Sequence, residues 1–166
     1  MLMKGTALAE RIVSKETQWS ASRFYDVKTH VDSHSEEKQD GVFAKLLRFE
    51  ASQPERPPVY RVCIQDTEIM DFIRRVKDID LVSLFTFIMT HELLHIHRFS
   101  TGKADFFDER KEDEEALVDS LTRLLLAKNP VTGLKNVLSL LDKVEAAPLY
   151  SFRIFADNRR CINAYL

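Results

Sequence analysis

The chain has 166 residues, 45% of them hydrophobic and 30% charged, which fits one soluble domain with enough apolar side chains for a core. Its formal net charge of −2 is too balanced for nucleic acid or an anionic membrane surface to be the expected partner. Four glycines and five prolines exclude long flexible linkers, and two widely separated cysteines, Cys63 and Cys161, supply neither a disulfide framework nor a cysteine metal site.

In chain order, the first expected element is a helix from about Thr6 to Gln18, with Leu8, Ile12 and Val13 as a weak apolar stripe. The N-terminus turns polar at Glu10 and Arg11 before a leader-like apolar run develops, so a cytoplasmic location is expected. Residues Asp26 to Gly41 are polar and read as a loop, and Val42 to Phe49 fits a helix or a strand. After the breaker Gln53-Pro-Glu-Arg-Pro-Pro comes Val59 to Ile64. There Tyr60, Val62 and Ile64 alternate with Arg61 and Cys63 as in a half-buried strand, and Pro57 and Pro58 favour a sheet edge.

A helix is expected over Thr67 to Lys77, with Ile69, Met70, Ile73 and Val76 on one side. The next is capped by Asp80 and runs to about Phe99, stopping near Gly102; its first half is apolar on nearly every side, the pattern of a central helix. Further helices are expected from near Asp108 to Lys128, with acidic first turns, and from Leu134 to Glu145. Beyond Pro148, Tyr150, Phe152 and Ile154 alternate as in a short strand. The apolar run Leu81 to Met89 is about half a membrane span, so no membrane partner is expected.

The chemistry is concentrated in Thr90-His91-Glu92-Leu93-Leu94-His95, an H-E-x-x-H pattern. Residues four apart lie one turn apart on one helix face, so both imidazoles can meet at a single ion. Glu92 is rotated about a hundred degrees from His91 and flanks the ion without having to bind it. At this chain's His and Glu frequencies the pattern arises by chance in roughly one chain in a hundred. A chance match belongs on a solvated face, whereas here it follows an apolar half-helix in which ionisable groups are costly without a task. A catalytic zinc takes three protein ligands and keeps a fourth position open. The third candidate is Glu115, with Glu112 as its rival on the same face. Asp119, one turn on from Glu115, can accept the outer ring N–H of a ligating histidine.

His91-Glu92-x-x-His95 followed by Glu115-Ala-Leu-Val-Asp119 resembles the motif pair of the gluzincin branch of zincin metallopeptidases, over roughly residues 59 to 128. The resemblance implies a mainly helical α+β zincin-like fold with a small sheet against the H-E-x-x-H helix. It implies one domain over 1–166: an N-terminal helix and polar segment (1–41), a metal-binding core (59–128) and a C-terminal helix and tail (129–166). It further implies one zinc ion on His91, His95 and Glu115, Glu92 as catalytic base and Asp119 behind a ligand. The activity implied is that of a narrow-specificity metallopeptidase acting on a peptide or protein. The edge strand Val59 to Ile64 would receive the substrate. The alternative is a non-catalytic binding or regulatory module on the same fold. No histidine follows His97 to steady an oxyanion, a role left to Tyr150, Arg153 or Tyr165, or to His30 or His34 on a closing loop. His97, two residues past His95, points away from the ligand face and reads as a packing or surface residue. Trp19, Phe24 and Tyr25 read as a core cap.

Overall fold

The computed structural model describes residues 1–21, 24–29, 37–50, 56–76, 78–108 and 110–145. Among these, five helices and three strands form a mainly helical α+β fold. The order is α1 (Leu2–Thr17), β1 (Tyr25–Lys28), β2 (Ala44–Phe49), β3 (Val59–Ile64), α2 (Asp66–Arg75), α3 (Leu81–Ser100), α4 (Lys111–Lys128) and α5 (Leu134–Glu145). No helix among the described residues is long and apolar enough to cross a membrane.

Helix α3 is the axis of the molecule. Leu84, Phe87, Ile88, Met89, Leu93 and Ile96 are all inaccessible to solvent, as a run apolar on every side requires. Its start is fixed by Asp80, whose carboxylate accepts from the Ser83 amide at 2.7 Å, satisfying one of the orphan donors of the first turn. The Ser83 hydroxyl reaches the Thr132 carbonyl at 2.6 Å, tying the α4–α5 connection to this end. Helix α1 lies so close alongside that a Cβ placed on Gly5 would stand 2.6 Å from Phe85 Cβ. Glycine is required there by approach, not by backbone conformation.

The sheet runs β1-β3-β2, with β1 parallel and β2 antiparallel to β3. Val59–Ile64 is therefore the central strand, not the edge strand its prolines suggested. Pro57 and Pro58 fall before the first ladder pair, Phe49 with Val59, so no donor is lost. The expected half-burial also fails, because every residue from Tyr60 to Ile64 is buried. Arg61 is accommodated by pairing: its Nε and Nη2 meet the two Asp26 oxygens at 2.8 and 2.7 Å, and its Nη1 meets Glu37 at 3.2 Å. Its guanidinium also lies 4.9 Å from the Phe49 ring centre.

Asp26 belongs to a strand, not to the loop expected over Asp26 to Gly41, because β1 pairs with β3 from Tyr25 to Lys28. The ambiguous stretch Val42 to Phe49 resolves as strand from Ala44. Gln65 clamps the segment before β2, its amide donating to the Glu37 carbonyl at 2.9 Å and accepting from the Gln39 amide at 3.0 Å. The first helix begins four residues earlier than expected, and α4 starts at Lys111 instead of Asp108. The expected strand around Tyr150, Phe152 and Ile154 lies outside the described residues.

Candidate metal centre

The second half of α3 carries four titratable side chains into the interior. His91, Glu92, His95 and His97 are 1%, 4%, 0% and 7% exposed. Opposite them, α4 turns Glu115 inward on the face that also buries Val118, Thr122 and Leu125. That spacing of three, four and three is one side of a helix, so packing of α4 onto the core carries Glu115 to α3.

The result is a tight triangle. His91 Nε2 and His95 Nε2 are 3.0 Å apart, and Glu115 Oε2 is 3.2 Å from the first and 3.5 Å from the second. An ion held tetrahedrally at about 2.0–2.1 Å from each ligand spaces its ligands about 3.3–3.4 Å apart. The three donors fit that spacing within a few tenths of an ångström. They are two imidazoles and a carboxylate, a donor set suited to zinc and also accepted by neighbouring divalent metals. Glu112 is exposed at the surface, so the acid brought to the histidines is Glu115.

Electrostatics agree with the geometry. Burial raises the Glu115 carboxyl, but hydrogen bonds from His91 and His95 outweigh it and hold the group down at about 2. Glu92 goes the other way. Burial pushes it up to about 7, His91 opposes the rise and the Glu115 charge adds to it. Its Oε2 is buried and accepts no hydrogen bond among the described residues. A carboxyl of this kind can either hold or release a proton near neutrality.

Around the triangle lie residues the motif did not announce. Arg98, three residues beyond His95, grips Glu114 with two hydrogen bonds of 2.6 and 2.8 Å. Glu114 Oε1 in turn faces His95 Nδ1 at 3.7 Å. The only available signals were the helical spacing of Arg98 from His95 and the place of Glu114 directly before Glu115. Asp119 takes a hydrogen bond from Arg123 Nε at 2.7 Å on Oδ2, while Oδ1 is buried and accepts none among the described residues. Arg123 also reaches Asp142 of α5 at 2.7 Å.

Aromatic rings close the far side. Phe99 stacks on His95 with ring centres 5.8 Å apart and planes 13° from parallel, and Phe106 meets Phe99 edge-on at 5.2 Å. His97 leaves the ligand face and packs against Trp19, ring centres 5.4 Å apart; burial and the charges of Lys103 and Arg98 lower its pKa. Trp19 and Phe24 pack against the core with ring centres 5.4 Å apart and planes tilted by 30°. A cleft of about 240 Å³ is lined by Phe99, Phe106, Leu117, Lys103, Arg110 and Glu114 among others, and by none of the three donors of the triangle. His30, His34, Tyr150, Arg153 and Tyr165, the sequence candidates for oxyanion stabilisation, lie outside the described residues. Comparison with protein-family models, curated proteins and solved structures finds no match to this chain.

Proposed function

We propose that the chain is a zinc-dependent hydrolase, a metallopeptidase of narrow specificity, with His91, His95 and Glu115 as metal ligands and Glu92 as general base. The observation that carries this reading is the triangle of two imidazole nitrogens and one carboxylate oxygen at 3.0, 3.2 and 3.5 Å, built from two different helices. The gluzincin-like order of the same residues supports it.

A divalent ion held there would polarise the carbonyl under attack and make water acidic enough to act as a nucleophile near neutral pH. The protein's own part is orientation and proton handling. Glu92 follows His91 directly on α3, so the helix that presents the ligands also sets the base beside them. Its buried Oε2 can accept the proton released by the attacking water and return it to the leaving amine. Asp119, held through Arg123, supplies a carboxylate on the ligand-bearing face of α4. Since β3 is central, an extended substrate cannot add to it; the strands at the sheet's edges are β1 and β2.

The test is Glu92→Gln in a proteomic cleavage screen. The variant is expected to keep its metal and lose chelator-sensitive cleavage by 10²–10⁴-fold. Cleavage at the wild-type rate would refute the mechanism. A second reading, a binding or regulatory module without hydrolysis, is favoured by one observation: both histidines are almost wholly buried, and the cleft is not lined by any of the three ligands. It predicts bound metal with no cleavage in either protein.

A further inference from the structure

We propose that Arg98 is a positioning residue for the metal centre, acting through its two-point grip on Glu114 to fix the ring of His95. This rests on the metal reading above and adds to it a pair of residues outside the motif.

The argument starts from the proton on His95. A ring that offers Nε2 to a cation carries its proton on Nδ1, and that N–H needs an acceptor if it is buried. His95 is inaccessible to solvent, and its Nδ1 makes no hydrogen bond among the described residues. The carboxylate facing it is Glu114, 3.7 Å away, about half an ångström beyond hydrogen-bond length. Glu114 is not free to drift. Arg98 Nε and Nη2 donate to its two oxygens at 2.6 and 2.8 Å, a planar fork that a lysine cannot reproduce.

Helix geometry gives the arrangement its direction. Arg98 sits on the same helix as His95, three residues on, so the helix that bears the ligand also bears the arm holding that ligand's partner. Glu114 sits beside Glu115 on α4, so the same clamp that sets Glu114 draws the third ligand's helix to α3. The loop that follows α3 is tied in as well: the Lys103 amide donates to the Arg98 carbonyl at 2.8 Å. An exposed surface ion pair has no such target. Arg110 and Asp108, which line the same cleft, pair at 3.1 Å but touch no ligand.

The experiment is zinc affinity of the full-length chain, measured by competition with a chromophoric chelator, together with the visible spectrum of the cobalt-loaded protein. Arg98→Ala and Glu114→Ala are expected to weaken zinc binding 10–100-fold and to change the cobalt spectrum. Glu114→Gln, which keeps an acceptor oxygen, should recover part of the loss. Arg98→Lys, which keeps the charge but not the fork, should fall between wild type and Arg98→Ala, and it decides the matter if the alanine variant does not fold. Arg110→Ala should match wild type in both readouts. Wild-type affinity and spectrum in Arg98→Lys and Glu114→Ala would overturn the role of the clamp while leaving the metal site standing. A wild-type chain that takes up no metal would overturn the metal reading itself.

Discussion

Replacing Glu115 with alanine separates a built metal site from a chance meeting of three polar side chains. A ligand that binds only the folded chain stabilises it by RT ln(1 + [L]/Kd), about 2.7 kcal/mol at a free concentration one hundred times Kd. For a chain of this size each kcal/mol shifts Tm by about 2–4 °C, so zinc at that level should raise the wild-type Tm by about 5–11 °C over the chelated protein. Glu115 supplies one corner of the triangle, at 3.2 and 3.5 Å from the two ring nitrogens. If binding worth roughly 10–16 kcal/mol is spread over four ligands, one corner carries about 3 kcal/mol, or a hundredfold in Kd. At the same zinc concentration the variant then sits near half-saturation, gains only about 0.4 kcal/mol and shifts by 1–2 °C. The assay is differential scanning calorimetry of each protein with zinc and with chelator, so that any loss in the metal-free fold cancels. Glu112→Ala, at an exposed position on the same helix, should keep the full shift. A Glu115→Ala protein with the wild-type shift would refute the assignment of the third ligand.

Three predictions concern the scaffold. Gly5→Ala gains about 1 kcal/mol of helix propensity but puts a Cβ 2.6 Å from Phe85 Cβ. Overpacking of about 1–3 kcal/mol outweighs that gain, so the urea midpoint should fall, and an unchanged or higher midpoint would show that α1 and α3 are not pressed together. Arg61→Met takes from Glu37, whose side chain is 8% exposed, the closer of two cations, leaving Lys28 at 3.4 Å, and should cost up to about 3–5 kcal/mol, partly recovered by adding Glu37→Gln; the readout is denaturant unfolding, and no loss would contradict the pairing. Cys63 is fully buried, and burial, with the Glu37 charge adding, pushes its thiol up to about 12. In a Cys161→Ser background iodoacetamide should therefore leave the native chain unlabelled up to about pH 9 and label it fully in urea. Rapid native labelling would contradict the burial.

Much of the candidate metal centre is legible in the sequence because its cues are local. The Asp80 cap, the apolar half-turns after it and the four-residue histidine spacing all lie within α3. Glu115 and Glu112 both stand as candidates in the sequence, and the packing of α4, which buries Val118, Thr122 and Leu125 on the side of Glu115 and leaves Glu112 exposed, decides between them. The sheet was less legible because its decisive contacts are distant. Arg61 reads as a solvent-facing residue until Asp26 and Glu37, 35 and 24 residues away, are seen to neutralise it. For the same reason Asp26–Lys28, with two charges in three residues, reads as loop although β3 pairs with every one of them. The Arg98–Glu114 clamp spans 16 residues and two helices, and no short motif records it.

Mass spectrometry of metal content tests the central claim most directly. The chain, loaded with zinc and dialysed against metal-free buffer, should retain one zinc per molecule, and the His91→Ala/His95→Ala double variant should retain none. A folded wild-type chain that emerges without metal, or a double variant that holds as much as wild type, would contradict the account.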